Sequence, residues 1–130
     1  MNGYVVGPGE SVGDDPDVKA GRKSTGGSLT VIESRTDGGA PLHVHSREDE
    51  AMYVLEGSIW ARCGDDRFDI GPRSFVFLPR GMPHEWDVAG DEALVLIITA
   101  PAGLEEFLHE FHKGQSDRSQ IAGRYGIELM

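Results

Sequence analysis

PLHVHSREDEAMYVLEG, residues 41–57, is the stretch of sequence that decides the fold. It holds two histidines one residue apart, then three acids, then a run of apolar residues. In a β-strand, residues two apart point to the same face, so the side chains of His43 and His45 converge on one point. Glu50 stands at the start of the next apolar run, where its side chain can face across a barrel toward them.

A cation site built on these histidines needs further donors from elsewhere in the chain. His84 ends the stretch PRGMPH, residues 79–84, at the head of another strand, which makes it the obvious third histidine. Imidazole suits several first-row metal ions, and a carboxylate extends the choice to harder ions. Glu48 and Asp49 fall in the turn between the two apolar runs, and we expect them to be plain solvated acids.

Alternation with period two dominates the chain between residues 28 and 100. Short apolar runs are separated by turn signals roughly every eight to twelve residues, which is typical of an antiparallel sandwich or barrel. We therefore expect an all-β domain over residues 28–100. Residues 1–27 are predicted to be an N-terminal arm and loop, and residues 101–130 a helical tail.

The hydrophobic period changes to that of a helix in PAGLEEFLHEFHKG, residues 101–114, with Gly114 past the helix end. The residues predicted to share one helical face are Leu104, Phe107, Leu108 and Phe111. A second, weaker helix is predicted around residues 116–125. His109 and His112 lack the HExxH spacing of zinc proteases, so a solvated helix face is their expected role.

Composition excludes several classes of partner. The 130 residues are expected to form one domain. A net charge of −10, from 22 acids against 12 lysines and arginines, would repel nucleic acid and anionic membranes. No apolar run approaches the ~20 residues of a membrane-spanning helix, and the N-terminus lacks the pattern of a signal peptide. Cys63 is the only cysteine, so we expect no intrachain disulfide and a cytoplasmic location.

The opening stretch resembles the first sequence motif of the cupin family. That motif is HxH, a short spacer, a glutamate, six further residues and a glycine, and the matching residues are His43, His45, Glu50 and Gly57. The resemblance selects Glu50 as the acid that belongs with the histidines. Asp37 stands where the motif normally opens with glycine, a position that is not a metal ligand in the family.

GPRSFVFLPRGMPH, residues 71–84, resembles the second cupin motif. The residues that carry this resemblance are Gly71, Pro79, Gly81 and His84. Val88 replaces the asparagine that often closes the motif, which leaves the local hydrogen bonding open. The resemblance covers residues 28–100 and implies a double-stranded β-helix, that is, a jelly-roll barrel.

The resemblance also implies a cofactor and an activity. One divalent transition metal ion (Fe, Mn, Ni, Cu, Co or Zn) would be held by His43, His45, Glu50 and His84. The stretches VLEG, FVFLPRGMPH and RYGIEL resemble small quercetin-dioxygenase-like cupins of bacteria. We therefore expect a dioxygenase of an enolic or phenolic small molecule, with Glu50 also acting as a catalytic proton acceptor. The alternatives are a non-oxidative isomerase or cyclase, and a non-catalytic cupin that binds a metal or ligand.

Strand parity predicts the substrate pocket. Met52 and Val54 share a face with Glu50, and Trp86 shares a face with His84, so these three residues are expected to line it. An apolar, aromatic-lined pocket beside one metal ion favours a flat or hydrophobic organic substrate.

We expect a homodimer, because the small cupins that this chain resembles usually pair and because the apolar stretch YVV, residues 4–6, needs a surface to pack against. Either the arm at Tyr4–Val6 or the strand face that carries Tyr53 and Leu55 is predicted to lie between subunits. Phe75 and Phe77 share one face of their strand, and the sequence leaves open which face turns outward.

Overall fold

Two antiparallel sheets form the body of the molecule in the computed structural model, which describes residues 1–113 and 117–130. The strands in these ranges are β1 (Val18–Ala20), β2 (Thr30–Thr36), β3 (Ala40–His45), β4 (Asp49–Glu56), β5 (Ile59–Cys63), β6 (Asp66–Ile70), β7 (Phe75–Leu78), β8 (His84–Val88), β9 (Ala93–Ala100) and β10 (Ile127–Leu129). The helices are α1 (Arg22–Thr25), α2 (Leu104–Lys113) and α3 (Arg118–Arg124). No helix among the described residues has the length and apolar character needed to cross a membrane. The predicted helix end at Gly114 and the predicted helix start at residue 116 lie outside the described residues.

The strand order is β1-β2-β9-β4-β7 in the first sheet and β10-β3-β8-β5-β6 in the second. Strand pairs within the described ranges are antiparallel. Because successive strands from β2 onward mostly alternate between the sheets, the chain winds as a jelly roll. The predicted fold class, an all-β double-stranded β-helix with a short C-terminal helical segment, is confirmed.

The core lies between the two sheets and follows the alternation along each strand. On β4, Met52 and Val54 are fully buried among residues of both sheets. Tyr53 and Leu55 point the other way and are half-buried. The same alternation decides the question that the sequence left open for β7, where Phe75 and Phe77 face outward and are 59% and 51% exposed.

The C-terminal segment folds back onto the barrel. The predicted amphipathic helix is present as α2, and it buries Leu104 and Phe107. Strand β10 was not predicted, because three residues are too few to show a period. It pairs with β3, with Ile127 opposite His45. The tail 101–130 is therefore helical only in part, and its last strand extends the second sheet.

The N-terminal segment 1–27 also contains regular structure. Strand β1 pairs with β2 and so extends the first sheet. The hydroxyl of Tyr4 lies 3.2 Å from the carbonyl oxygen of Lys19 and 2.9 Å from Ser24 Oγ. The predicted arm therefore lies along β1 and α1 of its own chain.

Candidate metal centre

Four buried side chains from both sheets meet at one point. His43 and His45 come from β3, and His84 comes from β8, opposite His43 in the strand register. Glu50 reaches the same point from β4 in the other sheet. One ligand atom from each residue lies within 4.8 Å of the others, and the four residues are 1% to 7% exposed. The structure thus brings together all four residues that the sequence analysis named as metal ligands.

Two of the imidazoles are oriented by backbone carbonyl groups. His43 Nδ1 lies 2.6 Å from the carbonyl oxygen of Pro41, and His84 Nδ1 lies 3.3 Å from that of Met82. Because a carbonyl oxygen only accepts, Nδ1–H donates in both rings, and the neutral ring keeps a lone pair on Nε2. His84 Nε2 lies 3.7 Å from Glu50 Oε1, so that lone pair faces the centre of the cluster.

His45 is held from behind by an acid that the sequence analysis assigned to solvent. Glu48 is only 6% exposed, and its Oε1 lies 2.5 Å from His45 Nδ1. On the inner side, His45 Nε2 lies 3.2 Å from Glu50 Oε1 and 3.0 Å from His43 Nε2. The expectation of a solvated acid is wrong for Glu48, because the short turn between β3 and β4 directs its side chain back toward His45. The spacing of three residues between His45 and Glu48 was the available signal.

Asp49, the first residue of β4, holds Arg80 on the outer side of this turn. Its carboxylate accepts the backbone N–H of Arg80 at 2.9 Å and lies 3.2 Å from Arg80 Nη2. The backbone N–H of Gly81 donates to the carbonyl oxygen of His45 at 2.7 Å, and Gly81 has a φ of 80°, which favours glycine. These contacts join the turn before His84 to the end of β3, and so position the third histidine against the first two.

The electrostatics of the cluster favour a cation. Burial by itself lowers the pKa of His45, but the carboxylates of Glu48 and Glu50 outweigh it and raise that pKa to about 9. Burial lowers the pKa of His43 to about 4. Burial also opposes the charge of Glu50, yet the neighbouring imidazoles of His45 and His84 lower its pKa to about 2. The metal-free cluster therefore holds a proton on His45 between two carboxylates at neutral pH.

One atom of the cluster lacks a partner. His84 Nε2 is buried and has no hydrogen-bond partner among the described residues. An unpartnered buried polar group costs ~1–3 kcal/mol, a cost that coordination of a cation would remove. Three imidazoles and one carboxylate are a donor set suited to first-row transition ions. The residues present therefore fit one divalent transition metal ion.

A cavity of about 460 Å³ extends from the cluster toward the C-terminal segment. Trp86, which the sequence analysis assigned to the substrate pocket, lines this cavity. Met52 and Val54 do not line it, because they are fully buried in the core between the sheets. They share the parity of Glu50, but every second residue lies ~7 Å further along the strand. The assignment of Met52 and Val54 to the substrate pocket is corrected to a packing role.

Helix α2 and the start of α3 form the opposite wall of this cavity. The apolar residues that α2 contributes are Leu104, Phe107, Leu108 and Phe111. His112 and Arg118 also line the cavity from these helices. His109 is exposed, as expected for a solvated helix face. His112 is exposed as well, yet it borders the cavity, a position that the sequence alone did not reveal.

Comparison with known proteins supports the jelly-roll fold described above. A family model described as Cupin domain matches residues 30–100. No curated protein matches the chain. Among solved structures, KdgF from Halomonas sp. is similar with a TM-score of 0.60 and 19% identity, over 68% of this chain and 79% of that chain. TT1209 from Thermus thermophilus has a TM-score of 0.53 and 29% identity, over 58% and 74% of the two chains. The nucleoside dehydratase Pac13 from Streptomyces has a TM-score of 0.52 and 20% identity, over 62% and 65%.

Proposed function

Because the chain belongs to the cupin family, we propose that it is a metal-dependent enzyme, a dioxygenase of an enolic or phenolic small molecule. The observation that carries the proposal is the buried cluster of three imidazoles and one carboxylate at the inner end of the cavity. Ionisable groups in a protein interior are costly unless they are paired or bind a cation. The convergence of these ionisable groups beside a cavity large enough for an organic molecule favours a functional site over a purely structural cluster.

His43, His45, Glu50 and His84 would hold the ion. When bound, a divalent transition metal would act as a Lewis acid toward a substrate oxygen and, if redox-active, would support dioxygen chemistry. Trp86 and the apolar residues of α2 would orient a flat or hydrophobic substrate and exclude water from it.

Glu50 is our candidate for the proton acceptor. Its carboxylate is buried, borders the cavity and lies 3.2 Å from His45 Nε2. Although burial opposes its charge, the neighbouring imidazoles of His45 and His84 lower its pKa and keep it a weak base. The hydroxyl of an enol or phenol beside a cation is acidified, so a weakly basic carboxylate suffices to accept its proton. Glu50 would therefore have two roles, as metal ligand and as catalytic residue.

The proposal is tested on protein purified without chelators. Metal content is measured first, and oxygen uptake and product formation are then screened against flavonols and diketones. Glu50→Gln keeps the shape and one oxygen donor but removes the negative charge. We expect this variant to retain a large share of its metal and to lose turnover by at least ~10²-fold. Glu56→Gln is the matched control, because it makes the same substitution on the same strand, at an exposed carboxylate that pairs with Arg35.

The possible results separate related activities. Turnover without oxygen consumption would replace the dioxygenase by a non-oxidative isomerase or cyclase that uses the same residues. Tight metal binding without turnover across a broad screen would favour a sensor or storage protein. Loss of metal in proportion to loss of activity would make Glu50 a metal ligand only. Wild-type protein without stoichiometric metal would refute the proposal.

We also propose that the protein is a homodimer, formed through the outer face of the first sheet. Phe75 and Phe77 on β7 are strongly exposed, and Phe75 lies opposite the half-buried Tyr53 of β4. An exposed apolar patch on adjacent strands is typical of an interaction surface. The arm at Tyr4–Val6, the other surface considered, is the weaker candidate because its tyrosine hydroxyl hydrogen-bonds within its own chain.

A further inference from the structure

The cavity carries opposite charges on two different structural elements. Glu50 lies with the metal-binding cluster on the barrel, and Arg118 lies on the C-terminal helices as the first residue of α3. Apart from the histidines, these are the charged side chains among the described residues that line the cavity. A ligand that fills the space between them would meet an anion at the barrel and a cation at the helices.

The environment of Arg118 leaves its guanidinium available to a ligand. The guanidinium carbon lies 4.9 Å from the centroid of the Phe111 ring, which also lines the cavity. None of the ion pairs within residues 1–113 and 117–130 involves Arg118. Arg124, on the same helix, has Glu110 Oε2 at 3.9 Å instead. A guanidinium beside an aromatic ring still presents N–H donors at its edge.

We propose that Arg118 binds a carboxylate of the substrate, which makes the substrate class an aromatic or apolar acid with its enolic or phenolic oxygens at the other end. The orientation rests on the proposed function, whereas the carboxylate subsite depends on Arg118 alone. The planar guanidinium matches a carboxylate with two parallel hydrogen bonds. Because the chain has a net charge of −10, an acidic substrate needs such a local cation to bind.

The space between the two ends fits such a molecule. The cavity volume of about 460 Å³ is within the range of roughly 300–1,000 Å³ found for small-molecule sites. Phe107 and Phe111 on one side and Trp86 on the other supply aromatic walls. A ring placed between these walls would direct its hydroxyl groups toward the cluster and its acidic substituent toward α3.

Caffeate and its neutral amide are suitable probes, because they share a catechol end and a spacer and differ in the charge of the other end. Affinities are measured by calorimetry on protein loaded with Zn²⁺, which is redox-inert, so no turnover is needed. We expect wild type to prefer caffeate by about tenfold, the low end of what a hydrogen bond to a charged group contributes. Arg118→Gln should bind both probes equally, and Arg118→Lys should keep part of the preference.

Arg124→Gln is the matched control, since it removes the same charge from the same helix outside the cavity, and it should keep the full preference. Equal affinities in wild type, no binding of either probe, or a preference that survives in Arg118→Gln would overturn the inference. Metal content is measured on the same samples. Metal-loaded protein without the preference refutes only the carboxylate subsite. Protein that takes up no Zn²⁺ during loading but still prefers caffeate refutes only the proposed function.

Discussion

Replacing Glu48 by glutamine should weaken metal binding, by an amount that depends on pH. Glu48 accepts the Nδ1–H of His45 on the buried side of the cluster, with the two atoms 2.5 Å apart. The carboxylate thereby directs His45 Nε2 to the centre of the cluster and makes that nitrogen a stronger ligand for a metal ion. Glutamine keeps a carbonyl oxygen as acceptor but loses the charge. Loss of such a partner lowers metal affinity by about 10–100-fold, equal to ~1.4–2.8 kcal/mol.

The same carboxylate also strengthens proton binding by His45, and the proton competes with the metal. The pKa of His45 is about 9 in the metal-free cluster, so at pH 7, about two units lower, the competition weakens wild-type metal binding by about 100-fold. Without the charge of Glu48, the pKa of His45 is lower and this competition is smaller. The two effects oppose each other at pH 7, and only the lost donor strength remains above pH 9. The ratio of wild-type to variant affinity should therefore be about 10–100 above pH 9 and smaller at pH 7.

The assay is competition for Zn²⁺ with a chromophoric chelator, at pH 7 and again above pH 9. Glu56→Gln makes the same substitution at an exposed carboxylate that pairs with Arg35, and it should leave the affinity unchanged at both pH values. Equal affinities of wild type and Glu48→Gln above pH 9 would refute the orienting role of Glu48. A ratio that grows toward pH 7 would refute the account of proton competition.

Three further results are expected. His45→Ala should abolish stoichiometric metal by elemental analysis, whereas His109→Ala, on an exposed helix face, should retain it; metal in both variants would contradict the site. With chelator present, the melting temperature should fall as pH rises from 6.5 through about 9. The reason is that the raised pKa of His45 gives a stabilisation that is complete below pH 6.5 and lost above about 9. A melting temperature that rises over this range would contradict the raised pKa. Light scattering should give twice the chain mass of 14.1 kDa. Phe77→Glu should reduce the mass to one chain, and Phe68→Glu, at a 41% exposed site on the other sheet, should not; a dimeric Phe77→Glu would move the interface elsewhere.

The positions of the cluster residues could be predicted because they depend on regular strand geometry. Period two sets His43 and His45 side by side on β3, whatever the rest of the chain does. Antiparallel register then places His84 opposite His43, once the second motif is assigned to the neighbouring strand. Glu50 needed more than periodicity, and the spacing of the first motif selected it from three adjacent acids.

Glu48 and β10 could not be predicted, because neither follows a period. The direction of a side chain in a turn of three residues depends on how the flanking strands meet, and an acid in a turn is usually solvated. Ile127, the first residue of β10, lies opposite His45 only because α2 and α3 return the chain to the edge of the second sheet. Both features result from tertiary packing that involves residues distant in sequence.

The cavity also combines residues that could be predicted from a strand period with residues that could not, and this has a consequence for function. The metal-binding residues lie on barrel strands, whereas Phe107, Phe111 and Arg118 belong to the helices that follow the barrel. An amphipathic pattern predicts that one face of a helix will be covered, but it does not show which surface covers that face. For this reason α2 could be predicted as a helix but not as a cavity wall. Substitutions in α2 and α3 should therefore change which molecules bind while the metal affinity stays constant. Substitutions at His43 or Glu50 should instead affect every substrate alike, because they alter the cluster itself.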